Sequence, residues 1–216
     1  MISLPLVYTV LALITYTTSF WYLFIRLMSQ RSPNLLNYAL MVGLGLVLHG
    51  TVLYQDMMTP FGVNYDVFNL LSFTSWLMLA LSLILSLIRP ILPLNLIGIP
   101  VAAFGLILGF AFSQPTQVVN NHNFWLDLHI ILSLSAYAIL LMATIHALLL
   151  WFQDRELKKK QKRRIWVNLL PPFQVMESLL FDLIITGFGL LTAALMFGFF
   201  TIDNFFAQHL AHKTAF

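Results

Sequence analysis

The chain has 216 residues, of which 60% are hydrophobic and 9% charged, with a formal net charge of +3. Soluble domains carry about 25% charged residues, so this chain has too little polar surface to coat a water-soluble globule. It contains no cysteine, which excludes disulfide scaffolds, iron–sulfur clusters, thiolate zinc sites and cysteine catalysis.

The apolar residues come in six blocks, each close to the roughly 20 residues that cross a bilayer. They fall near 3–25, 38–55, 68–88, 92–112, 125–152 and 175–200, with breaks at Arg31-Ser32-Pro33-Asn34, Thr59-Pro60-Phe61-Gly62, Arg89-Pro90 with Pro93, and Ser113-Gln114-Pro115. The expected fold is an all-α polytopic membrane protein of about six transmembrane helices in one domain, 1–216. Met1-Ile2-Ser3-Leu4-Pro5 carries no positive charge, while Arg26 and Arg31 follow the first block. That block therefore reads as an uncleaved span rather than a signal peptide. After the sixth block, Gln208 to Phe216 turns apolar again, which opens either a seventh span or an interfacial helix.

Basic residues alternate between links. Arg26 and Arg31 lie in the first, Arg89 in the third, and Arg155, Lys158, Lys159, Lys160, Lys162, Arg163 and Arg164 in the fifth, leaving Lys213 beyond the sixth span. The positive-inside rule places these links in the cytoplasm and the N-terminus outside. The fifth link has no aromatic interleaving and no nucleic-acid motif, so anionic lipid headgroups, not nucleic acid, are its expected partners.

Histidine carries the candidate chemistry. His49 is the sole histidine or charged residue in the second span, and Gly45, His49, Val52 or Leu53, and Asp56 share a helix face. The glycine admits a close neighbour. An intramembrane histidine needs either hydrogen bonds or a ligand, and both readings stand. In the fifth span His129, Ser133 and Tyr137 recur every four residues, a stripe expected to face the bundle interior, with Trp125 as interface anchor. His146 lies 17 residues further on, about 25 Å along the helix, and reads as a helix contact. His122 reads as loop surface. His209 and His212 follow the sixth span and share a face if that stretch is helical. His49, His129, His209 and His212 thus all fall toward the outer side. Neutral imidazoles ligate haem iron, copper or zinc, and without a Cys-x-x-Cys-His sequence a covalently attached haem is excluded. Glu177 is placed near the start of the sixth helix and Asp182 deeper, with a tie to the basic loop or a cation path as their alternatives. Gly187, Gly189, Gly198 and Thr192, and Gly105 with Gly109, read as close-packing surfaces.

Several of these segments resemble one family. Trp125-Leu126-Asp127-Leu128-His129 through Ser135-Ala136-Tyr137-Ala138, Leu170-Pro171-Pro172-Phe173 with Glu177, and Gly187-Phe188-Gly189-Leu190-Leu191-Thr192 with Gly198 are similar to segments of the cytochrome c assembly (CcsA/CcmC-type) membrane proteins, nearer their HemX-like branch. The resemblance implies a bacterial inner-membrane protein that handles haem on the outer side, with non-covalent haem b and other cytochrome biogenesis proteins as partners. It implies that His129 takes the place of the first external haem ligand and His49 of an intramembrane one. The second external histidine would lie beyond Phe216, so the chain is expected to lack about two closing spans. The family's tryptophan-rich motif has no counterpart in 201–212, where His209 and His212 stand as further candidate ligands. No nucleophile or acid–base pair is visible, so the expected work is binding and positioning rather than catalysis. The alternatives are a transporter or an accessory subunit of an ion-transport system, resting on Glu177 and Asp182, and a non-catalytic membrane scaffold whose histidines only hydrogen-bond.

Overall fold

The computed structural model describes residues 4–60, 62–114, 118–119, 124–158 and 170–200. Six long helices follow one another: α1 (Leu4–Met28), α2 (Leu35–Met57), α3 (Val67–Ile88), α4 (Asn95–Phe112), α5 (Phe124–Leu157) and α6 (Phe173–Phe200). All six expected blocks are helices long and apolar enough to cross a membrane. Their outward side chains are large and apolar, such as Leu36, Ile88 and Phe188, the surface that lipid rather than water requires. α5 exceeds its expected end. Its 34 residues span about 51 Å, more than a hydrocarbon core of about 30 Å, so its last turns, with Asp154 and Arg155, extend beyond that thickness.

Local chemistry sets the helix ends. Asn34 caps α2, its side chain accepting from the Asn37 N–H at 3.1 Å, and Asp66 caps α3, accepting from the Phe68 N–H at 3.0 Å. Each satisfies one of the donors that a helix start leaves open. The Pro171-Pro172 pair precedes α6, and the Pro172 carbonyl accepts from the Val175 and Met176 N–H groups. Glu177 consequently lies beyond the first turn of α6, not at its positive start.

The second and fourth links are more than turns. β1 (Met58–Thr59), β2 (Gly62–Asn64) and β3 (Val118–Val119) form one antiparallel sheet in the order β1-β2-β3, with Met58 opposite Val63 and Val63 opposite Val119. Gly62, the first residue of β2, has φ 130°, a backbone setting that favours glycine. Strands of two or three residues give no alternation in the sequence, which is why they were not expected. The sheet ties two links together at one end of the bundle, hereafter the sheet end. Arg26, Arg31, Arg89, Arg155 and Lys158 lie toward the other, basic end.

α3 is the shared wall of two cores. On one side α1, α2 and α4 close around Tyr16, Tyr38, Leu79 and Leu106; on the other, α5 and α6 close around Met78, Met142, Met176 and Leu179. Lipid removes the hydrophobic drive between helices, so close approach depends on small residues. Ser72 and Ser75 of α3 face Gly109 and Gly105 of α4, and a Cβ on Gly109 would sit 2.8 Å from that of Ser72. Gly187 lies equally close to Leu140 of α5, but Gly189 has nothing within 4 Å and takes no part in the expected packing surface.

Gly45 supplies a test. A Cβ there would sit 2.6 Å from the Tyr16 ring, whereas two residues earlier Gly43 has nothing within 4 Å. Gly45→Ala is expected to destabilise by about 1–3 kcal/mol through overpacking, while Gly43→Ala is neutral or slightly stabilising through helix propensity. Thermal unfolding of the two variants in detergent, side by side, checks the contrast.

Candidate functional site

His49 is fully buried where α1, α2 and α3 meet. Its Nδ1 lies 3.1 Å from the Tyr16 hydroxyl and its Nε2 2.9 Å from the Ser72 hydroxyl. A neutral imidazole has one donor and one acceptor nitrogen, so the two hydroxyls play opposite roles and the ring is fully committed. The close approach anticipated at Gly45 is made by Tyr16, the residue that engages His49. With eight residues between His49 and the end of α2, the knot lies about 12 Å inside the sheet end.

His129 is placed differently. It stands in the second turn of α5, half-buried, with Nδ1 at 2.6 Å from the Ala194 carbonyl of α6. A carbonyl can only accept, so Nδ1 carries the proton. In the neutral ring Nε2 is then an unprotonated lone pair, and it makes no hydrogen bond among the described residues. Gly198 lets the ring lie against α6, since a Cβ there would sit 2.7 Å from Nδ1. One turn away Trp125 stacks on Phe197 with centroids 5.8 Å apart. Donation of one ring nitrogen to a backbone carbonyl, leaving the other free, is the arrangement that orients metal-ligating histidines.

The two histidines are not brought together. His49 belongs to the α1–α2–α3 interior and His129 to the α5–α6 seam, and no group of three His, Asp or Glu residues poised to hold a metal occurs among the described residues. His209 and His212 lie outside the described residues, as do His122 and most of the basic fifth link. His146 is buried on α5, with Nδ1 at 3.0 Å from the Met142 carbonyl of its own helix and Nε2 unpartnered among the described residues.

The His129–Ser133–Tyr137 stripe does not face the interior throughout, because Tyr137 is 54% exposed. Residues four apart drift by about 40° around a helix of 3.6 residues per turn, so two steps carry the stripe from the α6 seam to the lipid side. Leu134, Ala138 and Met142 line the interior instead. Asp182 pairs with Arg89 of the third link at 2.5 Å, and Glu177 is exposed. This ion pair joins the end of α3 to α6.

Sequence reasoning did not find the partners of these groups. Tyr16 and Ser72 carried no signal beyond a Thr-rich first span and a Ser-rich third. Nor did it find a cavity of about 460 Å³ between α2, α3 and α5 beneath the sheet. Gly50, Leu53, Phe73, Trp76 and Leu134 line it, and Tyr65 and Asp127 supply its polar groups. The Tyr65 hydroxyl donates to Asp127 Oδ1 at 2.9 Å.

The family model of the cytochrome c assembly protein matches residues 4–216. The chain belongs to the cytochrome c assembly protein family. No curated protein and no solved structure matches it significantly. Membership supports a role in cytochrome c-type biogenesis for this multi-pass membrane protein, with membrane lipid and other biogenesis proteins as partners in general terms. Of the two described histidines toward the sheet end, His49 has both ring nitrogens hydrogen-bonded and His129 has one.

Tyr65 provides a measurement outside the spans. Burial first, then its hydrogen bond to Asp127 and the charge of that carboxylate, push the phenol up to about 12. The folded pKa lies above the ordinary 10.0, so this pair's contribution to stability is complete below pH 10.0 and is lost as pH rises through about 12. The difference in phenolate absorbance between the protein and Tyr65→Phe should show this late titration, and Asp127→Asn should move it down toward 10.0.

Proposed function

We propose that this chain is a haem-handling protein of cytochrome c-type biogenesis in the bacterial inner membrane, of the HemX-like branch, which holds non-covalent haem b at the sheet end through His129. The carrying observation is the His129 ring: Nδ1–H is anchored on the Ala194 carbonyl and Nε2 is left as a lone pair. This donor chemistry is of the kind that would hold haem iron. Bound haem would supply the iron chemistry, and the chain's own part is to orient the imidazole, fix its tautomer and exclude water with the Trp125–Phe197 stack.

His49 fits iron less well as it stands, because ligation requires Tyr16 or Ser72 to release a ring nitrogen. His49 in this state matches the scaffold reading; His129 does not. His209 and His212 follow α6, which ends at the sheet end, and would be further candidate ligands. The same reading places the sheet end outside and the basic end in the cytoplasm, supported by ten of the 11 Lys and Arg residues falling in alternate links.

The test is a reduced-minus-oxidised optical spectrum of the detergent-purified full chain, expressed with haem supplied. A b-type signal near one haem per chain is expected. His129→Ala should lower it at least about tenfold, the scale of loss when a metal site loses its supports, whereas His146→Ala should keep it. A colourless, monodisperse protein, or equal retention by both variants, overturns the proposal.

A further inference from the structure

A groove at the basic end is separate from the haem reading, which uses the sheet end. It lies between α3 and α6, both packed on α5, and has a volume of about 210 Å³. Among the described residues, Leu85, Ile139, Leu179 and Leu183 give it an apolar wall, and Arg89, Asp182 and Thr186 are its polar groups. Small-molecule sites run to roughly 300–1,000 Å³, so this groove has room for a stretch of one acyl chain instead. Ile84 at its edge is 53% exposed, and Thr186 is exposed as well. The groove therefore opens sideways, toward lipid.

Its polar groups are set at two depths. α3 has 22 residues, about 33 Å, close to a hydrocarbon core of roughly 30 Å. Arg89, the C-cap of α3, stands where headgroups begin. One terminal nitrogen of its guanidinium donates to one oxygen of Asp182 at 2.5 Å, and the two side chains are 35% and 51% exposed. A guanidinium has five N–H donors and a carboxylate about four lone-pair sites, so each keeps capacity on its open side. The pair presents a cation and an anion side by side. Thr186 lies four residues beyond Asp182 on α6, about 6 Å deeper in the membrane. The other threonines of the described helices, Thr144 and Thr192 among them, each donate to a carbonyl of their own helix. The Thr186 hydroxyl makes no such bond among the described residues. A hydroxyl without a partner among lipid chains is costly, so a polar lipid group at that depth is the fitting acceptor.

We infer that this groove binds phosphatidylethanolamine. The phosphate accepts from Arg89 and the ammonium donates to Asp182. One acyl chain lies on the apolar wall, and Thr186 donates to an ester carbonyl below the phosphate. A zwitterionic head matches the ion pair in sign at both groups and in net charge. Phosphatidylcholine carries the same charges, but its quaternary nitrogen has no N–H for the carboxylate. An anionic head offers no cation to Asp182. The basic fifth link attracts anionic lipid in any case, so the informative comparison is among zwitterionic heads.

The test is native mass spectrometry of the detergent-purified full chain, titrated with four lipids of the same acyl chains. These are phosphatidylethanolamine, its N-methyl and N,N-dimethyl forms, and phosphatidylcholine. Phosphatidylethanolamine should bind at about tenfold lower concentration than phosphatidylcholine, the worth of one hydrogen bond to a charged group. The largest drop should come at the final methylation, which removes the last N–H. Asp182→Asn should erase most of that preference. Thr186→Val should weaken all four lipids by about threefold and leave their order unchanged, as loss of one neutral hydrogen bond would. Should Asp182→Asn fail to fold, Thr186→Val still locates the site, because it alters a side chain on the lipid side. Equal retention of the four lipids would show bulk lipid contact only and overturn the inference. A preference that survives Asp182→Asn, or retention unaltered by Thr186→Val, would put the lipid elsewhere and overturn it too.

Discussion

Three helices converge on one imidazole. His49 contributes two hydrogen bonds, one to α1 through Tyr16 and one to α3 through Ser72. In the membrane interior a polar group left unpaired costs several kcal/mol, while each interhelical bond contributes about 0.6–2 kcal/mol. The penalty for leaving the knot unmade therefore exceeds the gain from making it, which is what makes it specify one arrangement of α1, α2 and α3. The surrounding small residues follow from it. Gly45 gives Tyr16 its place beside α2, and Gly109 gives Ser72 its place beside α4. A side chain at either glycine would displace a partner of His49.

His129 solves the same problem with a different outcome. Its ring is supported by one backbone carbonyl and a glycine, and the second nitrogen is not consumed. A histidine bonded at both nitrogens serves architecture. A histidine bonded at one, near the end of a span, has its tautomer fixed and a second nitrogen not consumed by the fold. The division of labour between the two arises from their neighbours, since the isolated side chains are the same.

The sheet and α3 organise what lies between. By joining the α2–α3 and α4–α5 links, the strands hold two helix pairs at a fixed separation. α2 and α5 both pack on α3, and the groove with Tyr65 and Asp127 lies between them. At the opposite end the Arg89–Asp182 pair joins α3 to α6, so the second core is clasped near its basic end as well.

Much of this was legible in the sequence. Six apolar blocks separated by Pro, Gly and charge are enough to place six spans, because the bilayer filters on hydropathy and length alone. The pairing of links was readable from the alternation of Arg and Lys, and His129 was marked by its resemblance segment. The rest depended on contacts between distant positions. Tyr16 and Ser72 lie 33 and 23 residues from His49, Asp127 lies 62 from Tyr65, and Ala194 lies 65 from His129. Periodicity reports which face of a helix is polar, but not which neighbour meets it, and it fails where a four-residue stripe drifts, as at Tyr137. The sequence by itself determined that the described residues hold six apolar spans, with His49 and His129 toward the same end of two of them. Only the tertiary structure decided that His49 is spent on holding helices and that His129 keeps a nitrogen to give, because hydrogen-bond partners across helix seams are set by packing geometry.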